Sequence, residues 1–138
     1  MKNIIKTIFL DAGGVLYLNN NGMAYINPEL IEFIKANQEK YAFILISDTD
    51  LDLDEILKKD GIDTLFKLVM TSGKTHLSKD EPEIYRQILF TMKLKVKEVV
   101  FIDNSQNFLD AAFALGINTI LYDGDFAKTE KEIRNVER

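Results

Sequence analysis

Short apolar runs of strand length recur along this chain, and that pattern narrows the folds open to it. Thr7–Leu10, Ala42–Ile46, Lys67–Thr71 and Val99–Ile102 are such runs, with Thr119–Tyr122 as a weaker fifth. Strands that are apolar at nearly every position, rather than every second one, belong to a parallel sheet covered on both faces. Helical patterns fill the intervals. Asn27-Pro28-Glu29 reads as a helix start, with Asn as N-cap and Pro at the first position, and Leu30, Ile31, Phe33 and Ile34 form its apolar face. Leu53, Ile56 and Leu57 mark a second helix that Gly61 ends. Pro82 starts a third, with Ile84, Tyr85, Ile88 and Leu89 inward. Phe108, Leu109, Ala111, Ala112 and Leu115 mark a fourth that Gly116 closes. The alternation predicts an α/β fold: a doubly wound parallel sheet of about five strands, with helices on both faces and right-handed crossovers.

One segment breaks the rhythm. Leu16-Tyr17-Leu18 and Met23-Ala24-Tyr25-Ile26 flank Asn19-Asn20-Asn21-Gly22, and Asn-Gly between two apolar runs is a strong hairpin signal. A hairpin flap at about residues 16–26 is therefore expected after the first strand. The charged tail after Phe126 reads as a short helix or a frayed end.

A chain of 138 residues is expected to form one domain, residues 1–138. Its net charge of −5 disfavours bulk attraction to nucleic acid or to an anionic membrane. The absence of Cys excludes disulfides and thiolate chemistry. Met1–Lys6 carries no long apolar stretch, and no apolar run approaches the ~20 residues that span a bilayer. A cytoplasmic location is the default expectation.

Polar residues stand where the apolar runs stop. Asp11 ends the first run and opens into Ala12-Gly13-Gly14, Ser47 ends the second, and Asp103-Asn104 end the fourth. Lys79 opens a helix. Open α/β sheets place their chemistry at the carboxyl ends of strands. Acid, hydroxyl, lysine and acid in this order resemble the haloacid dehalogenase (HAD) superfamily, from about Ile8 to Tyr122. The segment Ser72-Gly73…Lys79-Asp80-Glu81-Pro82-Glu83-Ile84-Tyr85 is similar to the family's lysine motif, with Asp80 in place of a proline. Asp103…Ala111-Ala112…Leu115-Gly116-Ile117 is similar to its last motif.

The resemblance implies a Rossmann-like HAD core and a magnesium-dependent phosphatase. Asp11 is then the nucleophile that forms an aspartyl-phosphate. Ser47 holds a phosphate oxygen, and Lys79 neutralises charge on nucleophile and phosphoryl group. Mg2+ is held by Asp11, the Gly13 carbonyl, Asp103 and Asn104, since hard cations take carboxylate and carbonyl oxygens. Lys74 is a looser match than Lys79, whose register Pro82 and Tyr85 fix. Four positions depart from the family. Gly13 stands where a second Asp protonates the leaving group, so a weak or specialised enzyme is expected. Asp48 stands where asparagine is common, and it repels phosphate unless it points away or is paired. Asn104 replaces a second acid, and Phe108 replaces a polar residue. His76, the single histidine, reads as a solvated loop residue, and Asn107 and Asp110 as helix surface.

The intervals 12–46 and 80–102 leave no room for the cap domain that HAD proteins commonly insert there. The resemblance therefore implies a capless member with an open site and a phosphorylated substrate, which such a site allows to be macromolecular. The alternative is a HAD-fold binding module that has lost catalysis. Dehalogenase chemistry needs a closed pocket for a small acid, and a receiver domain orders its residues differently. Neither agrees with this chain.

Overall fold

The computed structural model describes residues 4–137. Chain order runs β1 (Thr7–Asp11), β2 (Tyr17–Asn20), β3 (Met23–Ile26), α1 (Pro28–Ala36), β4 (Ala42–Ser47), α2 (Leu53–Lys59), β5 (Leu68–Thr71) and a short α3 (Ser72–Thr75). It continues with α4 (Pro82–Thr91), β6 (Val99–Asp103), α5 (Gln106–Phe113), β7 (Asn118–Leu121) and α6 (Phe126–Val136). Five strands form one parallel sheet in the order β5-β4-β1-β6-β7, and β2 and β3 form a separate hairpin. The chain fills one half of the sheet, β1 to β4 to β5, and then crosses back to β6 and β7. The reversal lies at β1, so the carboxyl end of β1 stands at the switch point where such sheets bind ligands.

Alternate strand residues feed two cores, because successive side chains point to opposite faces. Ile8, Leu10, Phe43, Leu45, Val100 and Ile102 pack on one face, against Leu30, Ile34, Leu57, Phe126 and Ile133 of α1, α2 and α6. Phe9, Ile44, Ile46, Val99 and Phe101 pack on the other, against Ile84, Tyr85, Ile88, Leu109 and Ala112 of α4 and α5. With both faces covered, the three central strands have no solvent side. That is why their sequences are apolar without alternation.

The helix starts follow local chemistry. Asn27 caps α1, its side chain accepting from the Leu30 amide, and Pro28 sits at the first helical position. The same buried Asn27 donates its amide to the Val15 carbonyl (2.9 Å) and to the Tyr122 hydroxyl (3.0 Å). It thereby ties the hairpin root to the end of β7. The charged tail is a helix over Phe126–Val136, capped by Asp125 and anchored by buried Phe126 and Ile133. Positions 12–41 hold only the hairpin and α1 between the first two strands of the sheet, and positions 80–98 hold α4 and a short turn. No cap domain stands at either place. Among the described residues, no helix is long and apolar enough to cross a membrane. Met1–Asn3, which belong to the N-terminal stretch discussed above, lie outside the described residues.

Candidate active site

Asp11, Ser47 and Asp103 end β1, β4 and β6, three neighbouring strands, so all three stand at the carboxyl edge of the sheet. All three are buried, as is Lys79. Lys79 does not lie in a helix. It sits in the turn before α4, and its ammonium reaches down between the two acids, 2.5 Å from Asp11 Oδ1 and 2.8 Å from Asp103 Oδ2. A cation buried with two anions leaves the cluster one negative charge in excess.

The lysine is held from several directions. Its backbone N–H donates to Asp48 Oδ1 (2.9 Å), and the neighbouring Ser78 hydroxyl donates to Asp48 Oδ2 (2.9 Å). Asp48 is thus paired and turned onto the lysine turn, which removes the repulsion its position suggested. The Tyr85 hydroxyl donates to the Lys79 carbonyl (2.5 Å). The Phe108 ring lies 4.5 Å from the ammonium, a cation–π contact. Sequence reasoning gave Phe108 only a lost polar contact and gave Asp48 repulsion unless it points away or is paired, and the second condition holds. The roles of both depend on where their side chains turn, and spacing does not encode that.

Asn104 closes the cluster. Turned with its N–H inward, its amide donates to Asp103 Oδ1 (3.1 Å) and to Asp11 Oδ2 (3.2 Å). A half-turn of the amide sets its oxygen against both carboxylates instead, an arrangement that only a cation makes favourable. Gly14 makes room for this side chain. It has a left-handed φ of +83°, and a Cβ there would lie 2.2 Å from the amide. Asp103 Oδ1 also accepts from the Ser105 amide (2.9 Å).

Burial pushes the Asp11 carboxyl up to about 6, against the opposing pull of Lys79, and Asp103 adds to the rise. Burial likewise raises the Tyr85 phenol, which keeps it a neutral donor.

Asp11 itself is buried, and the open side of the turn lies two residues on, at Gly13. Gly13 is exposed, has no left-handed φ, and a Cβ there would meet nothing within 4 Å. A groove of about 640 Å³ runs from Gly13 and Ser47 between the hairpin and α2. The structure keeps other candidates away from the cluster. Lys74 pairs with Asp54 (2.5 Å) and donates to the Val69 carbonyl (2.9 Å). His76 is the exposed, left-handed C-cap of α3 (φ 60°). Asn107 and Asp110 are exposed on α5.

The sequence of residues 20–122 matches the haloacid dehalogenase-like hydrolase family. This chain belongs to that family. The match begins after β1, so the assignment of Asp11 and Gly13 rests on geometry rather than on it. The chain is 37% identical over 118 residues to bifunctional epoxide hydrolase 2 of Rattus norvegicus, covering 80% of this chain and 21% of that protein. It thus spans about a fifth of that relative. Two solved structures share the fold. One is a HAD family enzyme of Bacteroides thetaiotaomicron in complex with magnesium and inorganic phosphate, with TM-score 0.76 and 18% identity over 88% of this chain and 96% of that one. The other is a predicted HAD-like hydrolase of Porphyromonas gingivalis, with TM-score 0.78 and 19% identity over 95% and 98%.

The cluster of this HAD-like chain suits a hard cation. Its donors are the two carboxylates of Asp11 and Asp103 and the amide oxygen of Asn104, all oxygens, with charge to spare after Lys79 is counted. Among the described residues no three acids or histidines gather around one point, so the site draws on fewer charges than an all-carboxylate one.

Proposed function

We propose that this HAD-like hydrolase is a magnesium-dependent phosphatase working through an aspartyl-phosphate on Asp11. The observation that carries the reading is the Lys79 ammonium buried between Asp11 and Asp103, with Asn104 against their remaining oxygens. A lone buried carboxylate would take up a proton and lose its nucleophilicity. Lys79 opposes that, and its fixed charge lies where a phosphoryl group gathers negative charge. Ser47 stands at the groove end beside Gly13, where its hydroxyl can donate to a phosphoryl oxygen. Asp11, Asp103, Asn104 and the Gly13 carbonyl would hold Mg2+, which when bound screens the charge of the incoming phosphate. Support also comes from the Bacteroides enzyme of the same fold, which was crystallised with magnesium and phosphate.

Attack by an Asp11 oxygen on phosphorus expels the leaving oxygen, and water then cleaves the acyl phosphate and restores the carboxylate. Gly13 supplies no proton to the leaving oxygen, which makes the enzyme weak or specialised. A panel of phosphate monoesters tested with and without magnesium, with Asp11→Asn as control, should show hydrolysis that needs both. In parallel, millimolar magnesium should raise the melting temperature of the parent protein but not of Asp103→Asn. No hydrolysis and no thermal shift would favour the other reading, a HAD-fold binding module.

A further inference from the structure

We infer that the substrates of this site are aryl phosphates, whose leaving groups depart without a proton and whose rings lie in the groove between the hairpin and α2. The inference rests on the phosphatase reading and narrows it. Its basis is the mismatch between the two flanks of Asp11. Phosphoryl transfer places the attacking and leaving oxygens roughly in line. Lys79 and Asn104 occupy the inner flank, and the open side nearest Asp11 in the chain is Gly13, which borders the groove.

Gly13, on that open side, has no side chain to protonate the leaving group. Asp48 accepts two hydrogen bonds from the lysine turn. The Tyr17 hydroxyl donates to Asp60 Oδ2 (2.6 Å), and burial together with that carboxylate raises its pKa, which makes it a poor acid. An alkoxide, whose conjugate acid is about as weak as water (pKa about 15.7), leaves slowly without a proton. A phenolate, with a conjugate acid near pKa 10, does not need one.

The groove suits the body of such a molecule. Tyr17, Tyr25, Leu51, Leu53 and Ile56 line it, and Tyr25 and Leu51 are exposed with no partner covering them. Rings stack on rings and on branched aliphatic groups. The acid at its rim, Asp60, repels anionic bodies such as nucleotides or sugar bisphosphates. In the first step a bond forms between an Asp11 oxygen and phosphorus, while the bond from phosphorus to the aryl oxygen breaks. The electron pair leaves on the phenolate, which takes a proton from bulk water. Water then adds to phosphorus, the Asp11 oxygen leaves with its electron pair, and the surplus proton passes to solvent.

The test compares kcat/KM for phenyl, naphthyl and benzyl phosphate and for acetyl phosphate, which has a good leaving group but no ring. Phenyl phosphate should exceed benzyl phosphate by about 10²-fold or more, the scale of a missing general acid. Gly13→Asp, which has room to fold, should raise benzyl phosphate turnover at least about tenfold and narrow that gap. Leu51→Glu should lower naphthyl phosphate relative to acetyl phosphate by about tenfold. Benzyl phosphate within threefold of phenyl phosphate overturns the inference and leaves the phosphatase reading intact. So does cleavage of acetyl phosphate with none of the aryl esters. If none of the four is cleaved, the phosphatase reading itself falls.

Discussion

The two flanks of Asp11 are built on opposite principles, one of fixed charge and one of open space. On the inner flank every group is fixed. Lys79 is held by two carboxylates, by the Asp48 clamp on its turn, by the Tyr85 hydroxyl on its carbonyl and by the Phe108 ring. On the outer flank stand an exposed glycine and a groove with aromatic walls. Binding a phosphoryl group calls for preorganised charge, and the inner flank holds a lysine fixed between two buried carboxylates. Proton transfer calls for one positioned acid, and this chain has none at that place. The two functions are therefore separable in structure. A site can retain the first while discarding the second, and what it then selects for is the leaving group.

The comparison breaks most severely if the inner flank loses its cation. Lys79→Met would leave Asp11 and Asp103 buried as unpaired anions. Removing one partner of a buried ion pair costs about 3–5 kcal/mol. Chemical denaturation should show a loss on that scale, and the double variant Lys79→Met with Asp11→Asn should recover part of it. An unchanged midpoint for Lys79→Met would mean that the cluster does not depend on its lysine.

The next effect concerns Asp11 and has the opposite sign. Its pKa stands above the ordinary 3.8, at about 6, chiefly through burial. The folded protein thus holds this proton more tightly than the unfolded chain. The ionised carboxylate costs stability, and the cost is absent below pH 3.8 and grows until about pH 6. Asp11→Asn should therefore stabilise the metal-free protein at pH 7.5 by about 1–3 kcal/mol, a rise of several degrees in melting temperature. At pH 3.8 and below, the two proteins should melt alike. A variant less stable than the parent at pH 7.5 would show that the ionised carboxylate supports the fold.

Asp48 joins the two flanks, since it borders the groove yet binds the lysine turn. Asp48→Ala removes acceptors from the Lys79 amide and the Ser78 hydroxyl. Hydrogen bonds to a charged group contribute about 1.5–3 kcal/mol, and the exposed half of this pair lies at the lower end. The expected signature is a fall in kcat on every substrate, because the lysine is misplaced rather than lost. An effect on KM alone would place Asp48 with the groove instead.

Much of the fold was legible because the physics behind it is local. Unbroken apolar runs follow from double burial of β1, β4 and β6, and Asn27-Pro28 follows from capping. The meeting of Asp11 and Asp103 at one sheet edge follows from their places at neighbouring strand ends, and the lysine turn before α4 brings Lys79 to them. The orientations of Asp48, Phe108 and Asn104 were not legible. Each is decided by side-chain rotation among tertiary neighbours: the lysine turn for Asp48, the ammonium for Phe108, Gly14 for Asn104. The charged tail was ambiguous for a related reason. Its helix depends on Phe126 and Ile133 finding the core of the sheet, which composition alone does not reveal.

The smallest effect tests how much charge the inner flank needs. Asn104 lies against Asp103 and Asp11 at 3.1 and 3.2 Å, close enough that a carboxylate in its place would add directly to their field. In the absence of a divalent ion, Asn104→Asp trades two N–H donors for a like charge beside two others, so the metal-free protein should melt lower by an amount on the order of 1 kcal/mol. With magnesium the added oxygen charge should tighten binding, since ligand charge count tunes cation affinity. The magnesium-induced rise in melting temperature should therefore be larger in Asn104→Asp than in the parent, and should saturate at a lower concentration. Equal magnesium responses in the two proteins would mean that position 104 does not face the cation. Asn104 would then serve only as the donor that holds the two carboxylates together.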